Sequence, residues 1–239
     1  MGSEMSVLGH IRDLRKCLIN CCWCFLITSC VAFYFREELY HFLYSPYFDS
    51  IKDKSNTKIT YGTVFSSFTV SLNISLIAGI ILGMPYALFE IFRFIAPGLE
   101  KKEVKLFYIF STLGSLLFLL GVFLSYSYLI PRLAEVMERF QFDDTVAYLS
   151  AKDFLKTILK LILGIGLIFQ FPLVLFFAVK IGLLQLETLR SNRKIIFIGI
   201  LIISAFVTPP DPLSMAIIAT PFYGMFELTL VACRFFIKD

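Results

Sequence analysis

Two sets of carboxylates in this chain have the setting to do chemistry. The first lies in His10-Ile11-Arg12-Asp13-Leu14-Arg15-Lys16 and in Leu99-Glu100-Lys101-Lys102-Glu103, short charged stretches bordering long apolar runs. Carboxylates gathered at one membrane face would bind a basic ligand. A guanidinium meets a carboxylate as a planar two-pronged pair, whereas an ammonium offers a point charge, so such a site would favour arginine over lysine. The same residues also read as a solvated charged loop, with Asp13 paired to Arg12, Arg15 or Lys16 and the glutamates to Lys101, Lys102 or Lys105. The second set is Glu227, read as the acidic side chain deepest in a predicted helix, between Met225-Phe226 and the apolar Leu228 to Cys233. A carboxylate in a span faces protein or water and marks a candidate functional site. Its structural alternative is a protonated Glu hydrogen-bonded to a neighbouring helix. Gln170, in the apolar run Leu167 to Phe176, is the neutral partner if the fourth and sixth helices approach.

Other chemistries lack their residues. His10 and His41 flank the first apolar run and fall on opposite sides of a membrane, so they assemble neither a zinc site nor a Ser-His site. H-E-x-x-H and G-x-x-x-x-G-K-[ST] are absent, and of the aspartates only Asp211 comes near a span, where an intramembrane protease needs two. Cys21-Cys22-Trp23-Cys24 matches C-x-x-C, but without a second pair or a βαβ pattern. The six cysteines therefore read as small apolar side chains in the lipid phase. No enzyme, metal or cofactor is implied.

The elements that must position these groups are membrane helices. Of 239 residues, 58% are hydrophobic and 17% charged, against about 45–50% and about 25% in soluble domains. The net charge of +4 is too scattered for nucleic-acid binding. A span needs about 20 apolar residues, which predicts an all-α integral membrane protein, one transmembrane domain over 1–239 with helices near 17–35, 68–92, 106–130, 154–179, 195–208 and 213–236. Lys156 and Lys160 would snorkel from the fourth. Pro209-Pro210-Asp211-Pro212 separates the last two helices, the first of which is a short span or one arm of a re-entrant hairpin. Either way both termini share a side. Thirteen Lys and Arg fall on that side and nine opposite, which places the termini in the cytoplasm. Leu133, Val136, Met137 and Phe140 share one helical face, predicting a short amphipathic helix on the outer surface.

The motifs resemble the TatC family, the multispanning core subunit of the twin-arginine protein translocase. His10-Ile11-Arg12-Asp13-Leu14-Arg15 is similar to the family's H-L-x-E-L-R, and Phe94-Ile95-Ala96-Pro97-Gly98-Leu99 with Glu103 to its F-[IV]-x-P-[AG]-L…E loop. Thr208-Pro209-Pro210-Asp211 and Pro221 with Phe226-Glu227 resemble its last helical pair. The resemblance implies six helices, the last two short. It also implies binding of the twin-arginine signal peptides of folded cargo through Asp13, Glu103, Arg15, Phe94 and Pro97, and docking of single-span TatA- and TatB-type subunits near Gln170 and Glu227. Structural roles fall to Pro46, Pro209, Pro210 and Asp211. It further implies a homo-oligomer within an inner-membrane complex driven by the proton-motive force. Three positions depart from the pattern: Asp13 stands for Glu, Cys17 for a second Arg in some members, and Gln170 for Glu in many bacterial ones. The rival reading is a proton-coupled small-solute transporter with Glu227 as carrier, but the sequence lacks the internal repeat expected of one.

Overall fold

The structure, a computed structural model, describes residues 7–50, 57–60, 63–95, 104–139, 147–180, 182–207 and 212–236. Its helices are α1 (Val7–Tyr34), α2 (Arg36–Phe48), α3 (Ser66–Ile95), α4 (Val104–Leu124), α5 (Ile130–Arg139), α6 (Ala151–Ile168), α7 (Phe171–Lys180), α8 (Leu186–Ser191), α9 (Arg193–Val207) and α10 (Pro212–Phe236). Two short strands, β1 (Thr57–Thr60) and β2 (Ala147–Ser150), pair in parallel with Thr57 opposite Ala147 and Thr60 opposite Ser150. Among the described residues, five helical stretches are long and apolar enough to cross a membrane. The 15-residue α9 is about 22 Å long, below a hydrocarbon core of about 30 Å.

The helices depart from the hydropathy reading where polar residues or prolines intervene. The first begins at Val7, so Asp13 and Arg15 stand on the helix rather than ahead of it. The third does not stop at its apolar limit. It runs through a π turn, Ser125–Leu129, into α5, so the amphipathic stretch continues a long helix instead of forming a separate one. The fourth starts at Ala151, with the Ser150 side chain accepting from the Asp153 N–H, and breaks between α6 and α7. Pro172 explains the break: it has no N–H for the Ile168 carbonyl, and its ring crowds that carbonyl. The Gln170 carbonyl instead accepts from both Leu173 and Val174, at 3.0 and 3.1 Å.

The chain divides into two compact units, one of residues 1–40 and 68–116, the other of 41–67 and 117–239. In the first, α1 and α3 run antiparallel and approach through small residues. A Cβ on Gly79 would collide with Ser29, and one on Gly83 would come within 2.7 Å of the Phe25 ring. The Thr28 hydroxyl donates to the Gly79 carbonyl at 2.8 Å. Cys17 and Cys21 are buried with Ala87 and pack beside Phe25, Met84 and Phe94. These two cysteines thus fill a helix–helix seam rather than facing lipid, while Cys22 and Cys30 are exposed, and all six are free thiols.

In the second unit α7, α9 and α10 share a core containing Leu175, Ile200, Phe222, Phe226 and Cys233. Leu129, Leu133, Ile165, Phe169 and Ile218 form another. Lys160 is exposed, and its ammonium donates to the Phe206 carbonyl at 2.6 Å, among the last carbonyls of α9, which have no partner within their helix. Pro46 sits inside α2 and leaves the Phe42 carbonyl without its helical donor. Tyr126, in the π turn, supplies one: its hydroxyl reaches Phe42 O at 2.7 Å while its ring stacks on Phe42 at 4.3 Å.

Candidate functional site

The seam of the first unit carries the candidate recognition residues at one end. Asp13, Cys17, Asn20, Cys24 and Thr28 recur at helical spacing along one face of α1. Their counterparts on α3 are Gly79, Gly83, Ala87, Glu90 and Phe94. Thr28 bonds Gly79, the Cys24 thiol lies 4.0 Å from the Gly83 carbonyl, and Asn20 meets Glu90, so the α1 sequence descends as the α3 sequence ascends. Cys17 packs in the cluster that Phe94 flanks, and Asp13 lies one turn beyond Cys17 on the same face. Asp13 is half-buried; among the described residues no ion pair joins it to Arg12, Arg15 or Lys16. Arg15 is exposed. Pro97 and Glu103 lie outside the described residues, as do Pro209, Pro210 and Asp211.

The seam also holds a group that the sequence reading passed over. Glu90 is 5% exposed, more buried than Glu227. Its Oε1 takes the Tyr86 hydroxyl at 3.0 Å, Arg93 at 3.4 Å and the Asn20 amide at 3.5 Å. Its signal was present: a carboxylate inside the second predicted span and an asparagine inside the first. Its place near the end of an apolar run, close to Arg93, disguised it as a border charge.

In the second unit Glu227 is neither unpaired nor joined to Gln170. Its carboxylate accepts the Tyr223 hydroxyl at 2.9 Å and pairs with Arg193 of α9 at 3.2 Å. Phe171, next to Gln170, packs edge-on against Phe222, which places Gln170 about a turn and a half along the axis from the level of Glu227. Arg193 thus supplies the partner that the sequence reading sought in helix four. Both carboxylate oxygens of Glu227 are thus engaged, one by a phenol and the other by a guanidinium, an arrangement that ties helices together. Gln170 marks the break above Pro172, and its neighbour Phe169 lines an open groove of about 750 Å³ whose walls include Leu129, Ile165, Ile217 and Pro221. The Arg132–Glu135 ion pair, 2.9 Å, stands on its edge.

Long apolar helices tied by internal polar groups, with charged residues at a helix–helix seam, define a polytopic α-helical membrane protein. The chain matches the family model "Sec-independent protein translocase protein (TatC)" over residues 9–221. It belongs to the TatC family, and is accordingly a multi-pass inner-membrane subunit of the Sec-independent protein translocase. It is 30% identical to TatC of Helicobacter pylori strain J99 over 225 residues, 94% of this chain and 87% of that one. It is 26% identical to TatC of Escherichia coli K12 over 231 residues, 97% and 89% of the two chains. The crystal structure of the twin-arginine translocase receptor TatC in DDM superposes with a TM-score of 0.84 at 28% identity, covering 93% of this chain and 98% of that one.

Proposed function

We propose that this chain is the receptor of its translocase, taking the paired arginines of a signal peptide at the cytoplasmic face through Asp13 and Glu103, with Arg15, Phe94 and Pro97 shaping the site. The observation that carries the reading is the placement of Asp13 on the packed face of α1, one turn past Cys17 and level with the end of α3 that bears Phe94. An aspartate held there keeps the charge of the family's glutamate with one methylene less reach, and it accepts a guanidinium in the two-pronged mode that lysine cannot match. The 239 residues act as one transmembrane domain of six spans with both termini cytoplasmic, α9 crossing where the bilayer is thinned. Folded cargo is exported by the proton-motive force, together with TatA- and TatB-type single-span subunits and further copies of this chain. The apolar groove beside Phe169 and the polar break at Gln170 suit a partner helix carrying a hydrogen-bonding side chain. The Glu227 and Arg193 pair lies on a second surface for such a helix.

Capture of labelled peptides by membranes containing the full chain tests this. An Arg-Arg signal peptide should bind, its Lys-Lys counterpart should not, and Asp13→Ala and Glu103→Ala should each lose most of the Arg-Arg binding. Equal capture of both peptides, or full binding by both variants, would return the carboxylates to a solvated loop.

A further inference from the structure

We propose that Glu90 is a positioning residue for arginine recognition: by fastening α1 to α3 within the membrane it sets the level at which Asp13 is presented beside Phe94. The inference rests on the reading of Asp13 as a guanidinium acceptor. Three donors converge on Glu90 Oε1, but only Asn20 comes from α1; Tyr86 and Arg93 belong to α3 itself. A carboxylate this deeply placed is costly unless donors meet it, so Tyr86 and Arg93 keep the acceptor in place and Asn20 uses it.

The rest of the seam explains why one polar crossing matters there. Cys17, Cys21 and Ala87 are small, and Gly83 has no side chain, so this packing sets how closely the helices approach but resists sliding along the axis only weakly. A polar pair in an apolar seam selects one register at some cost in stability. Thr28 on the Gly79 carbonyl does this at the far end, and Asn20 on Glu90 does it toward the recognition end. Phe94 is four residues from Glu90, about 6 Å along its helix, and Asp13 is seven from Asn20, about 10 Å. Loss of the crossing frees the Asp13 end to shift against Phe94, and a two-pronged guanidinium contact is lost with a small shift.

The test uses the full-length protein in membranes, Arg-Arg and Lys-Lys signal peptides, and affinity per folded protein. Glu90→Gln keeps an acceptor oxygen for Tyr86 and Asn20 and gives up only the charge facing Arg93, so Arg-Arg affinity should stay within about threefold of the parent. Glu90→Leu should weaken Arg-Arg binding about tenfold and bring the Arg-Arg to Lys-Lys ratio toward one. Asn20→Leu removes only the crossing donor; it should do the same, and carries the test if Glu90→Leu fails to accumulate. Parent-like affinity and selectivity in Asn20→Leu overturns the inference. So does a Glu90→Gln variant that falls as far as Glu90→Leu, because charge and not position would then be at work. A parent protein that does not distinguish the peptides fells the recognition reading and this inference together, whereas discrimination that survives both Leu variants fells the inference alone.

Discussion

The two units solve the same problem with the same residue types and reach different results. Each holds a membrane carboxylate one turn after a tyrosine that donates to it, Tyr86 to Glu90 and Tyr223 to Glu227, and each adds an arginine. In the first unit the arginine comes from the same helix, three residues on, and the link to the other helix is the neutral Asn20. In the second the arginine is itself the link, Arg193 of α9 reaching α10. The Glu90 side chain is 7% exposed and that of Glu227 is 32% exposed. Burial decides which arrangement is tolerable. At Glu90 the link across the seam is an amide, and the largely exposed Arg93 reaches the buried carboxylate from its own helix, while the half-open surface at Glu227 admits an ion pair between helices that water still helps to solvate. The deep tie therefore fixes register, and the shallower one joins α9 to its neighbour.

The largest effect should come from opening the closed seam. A Gly83→Leu side chain would drive into the Phe25 ring and separate α1 from α3, costing about 3 kcal/mol and the Asn20–Glu90 contact with it. Thermal unfolding of the purified protein in detergent checks this, and a midpoint equal to that of the parent would mean the seam is not close-packed. Next come the two carboxylates compared directly. Glu90→Leu removes the acceptor that Tyr86, Arg93 and Asn20 share and should cost about 2 kcal/mol. Glu227→Leu, at a site that water partly solvates, should cost about 1 kcal/mol or less. The reverse order would show that exposure does not govern the difference.

How much of this was legible in the sequence follows from the kind of force involved. Span positions were readable because apolar runs of membrane length have few other uses, and four motifs, two about the first helix pair and two about the last, carried the family resemblance. What hydropathy could not see was polar groups serving helices. Asp13 and Arg15 are charged, yet α1 extends through them, because a helix can leave the apolar layer without unwinding. Lys160 reads as a snorkelling side chain, and only the fold shows that its ammonium also meets the Phe206 carbonyl of α9. Glu90 looked like a border residue because its partners, Asn20 and Tyr86, acquire meaning only when the antiparallel register of α1 and α3 is known. The β1–β2 pair joins four-residue segments nearly ninety positions apart, a contact that no local pattern announces. The break at Gln170 was the exception: Pro172 predicts it from the sequence, and it was overshadowed by the apolar run around it.

A smaller effect should separate the two ties by chemistry. Exchanging Arg193 and Glu227 keeps the charges paired across α9 and α10, so Arg193→Glu alone should destabilise by about 1 kcal/mol and Glu227→Arg added to it should recover most of that. Unfolding at low and high salt checks it, since a half-exposed pair should weaken as salt rises. Failure of the second substitution to recover stability would mean that Glu227 is held mainly by Tyr223, as Glu90 is by its neutral donors.

Both units also spend polar contacts on backbone acceptors, Thr28 on Gly79 in the first and Tyr126 on Phe42 in the second, and the smallest prediction bears on the latter. Pro46 takes away the donor that the Phe42 carbonyl would have had inside α2, and the Tyr126 hydroxyl replaces it from another helix. Tyr126→Phe keeps the ring stacked on Phe42 and removes the hydroxyl's contacts with the Phe42 carbonyl and, at 3.1 Å, with Ser45, so it should cost about 0.5–1 kcal/mol, with Ser45 still donating to the same carbonyl at 3.0 Å. If the orphaned carbonyl is the reason for the contact, returning the missing donor should abolish the cost. In a Pro46→Ala background the Ala N–H can close the helical bond, and Tyr126→Phe should then be nearly neutral. A double-mutant cycle by thermal unfolding reads this coupling. Equal losses in both backgrounds would show that the hydroxyl serves something other than the carbonyl that Pro46 leaves open, and the parallel with Glu90, an acceptor that a donor must cross between helices to reach, would no longer hold.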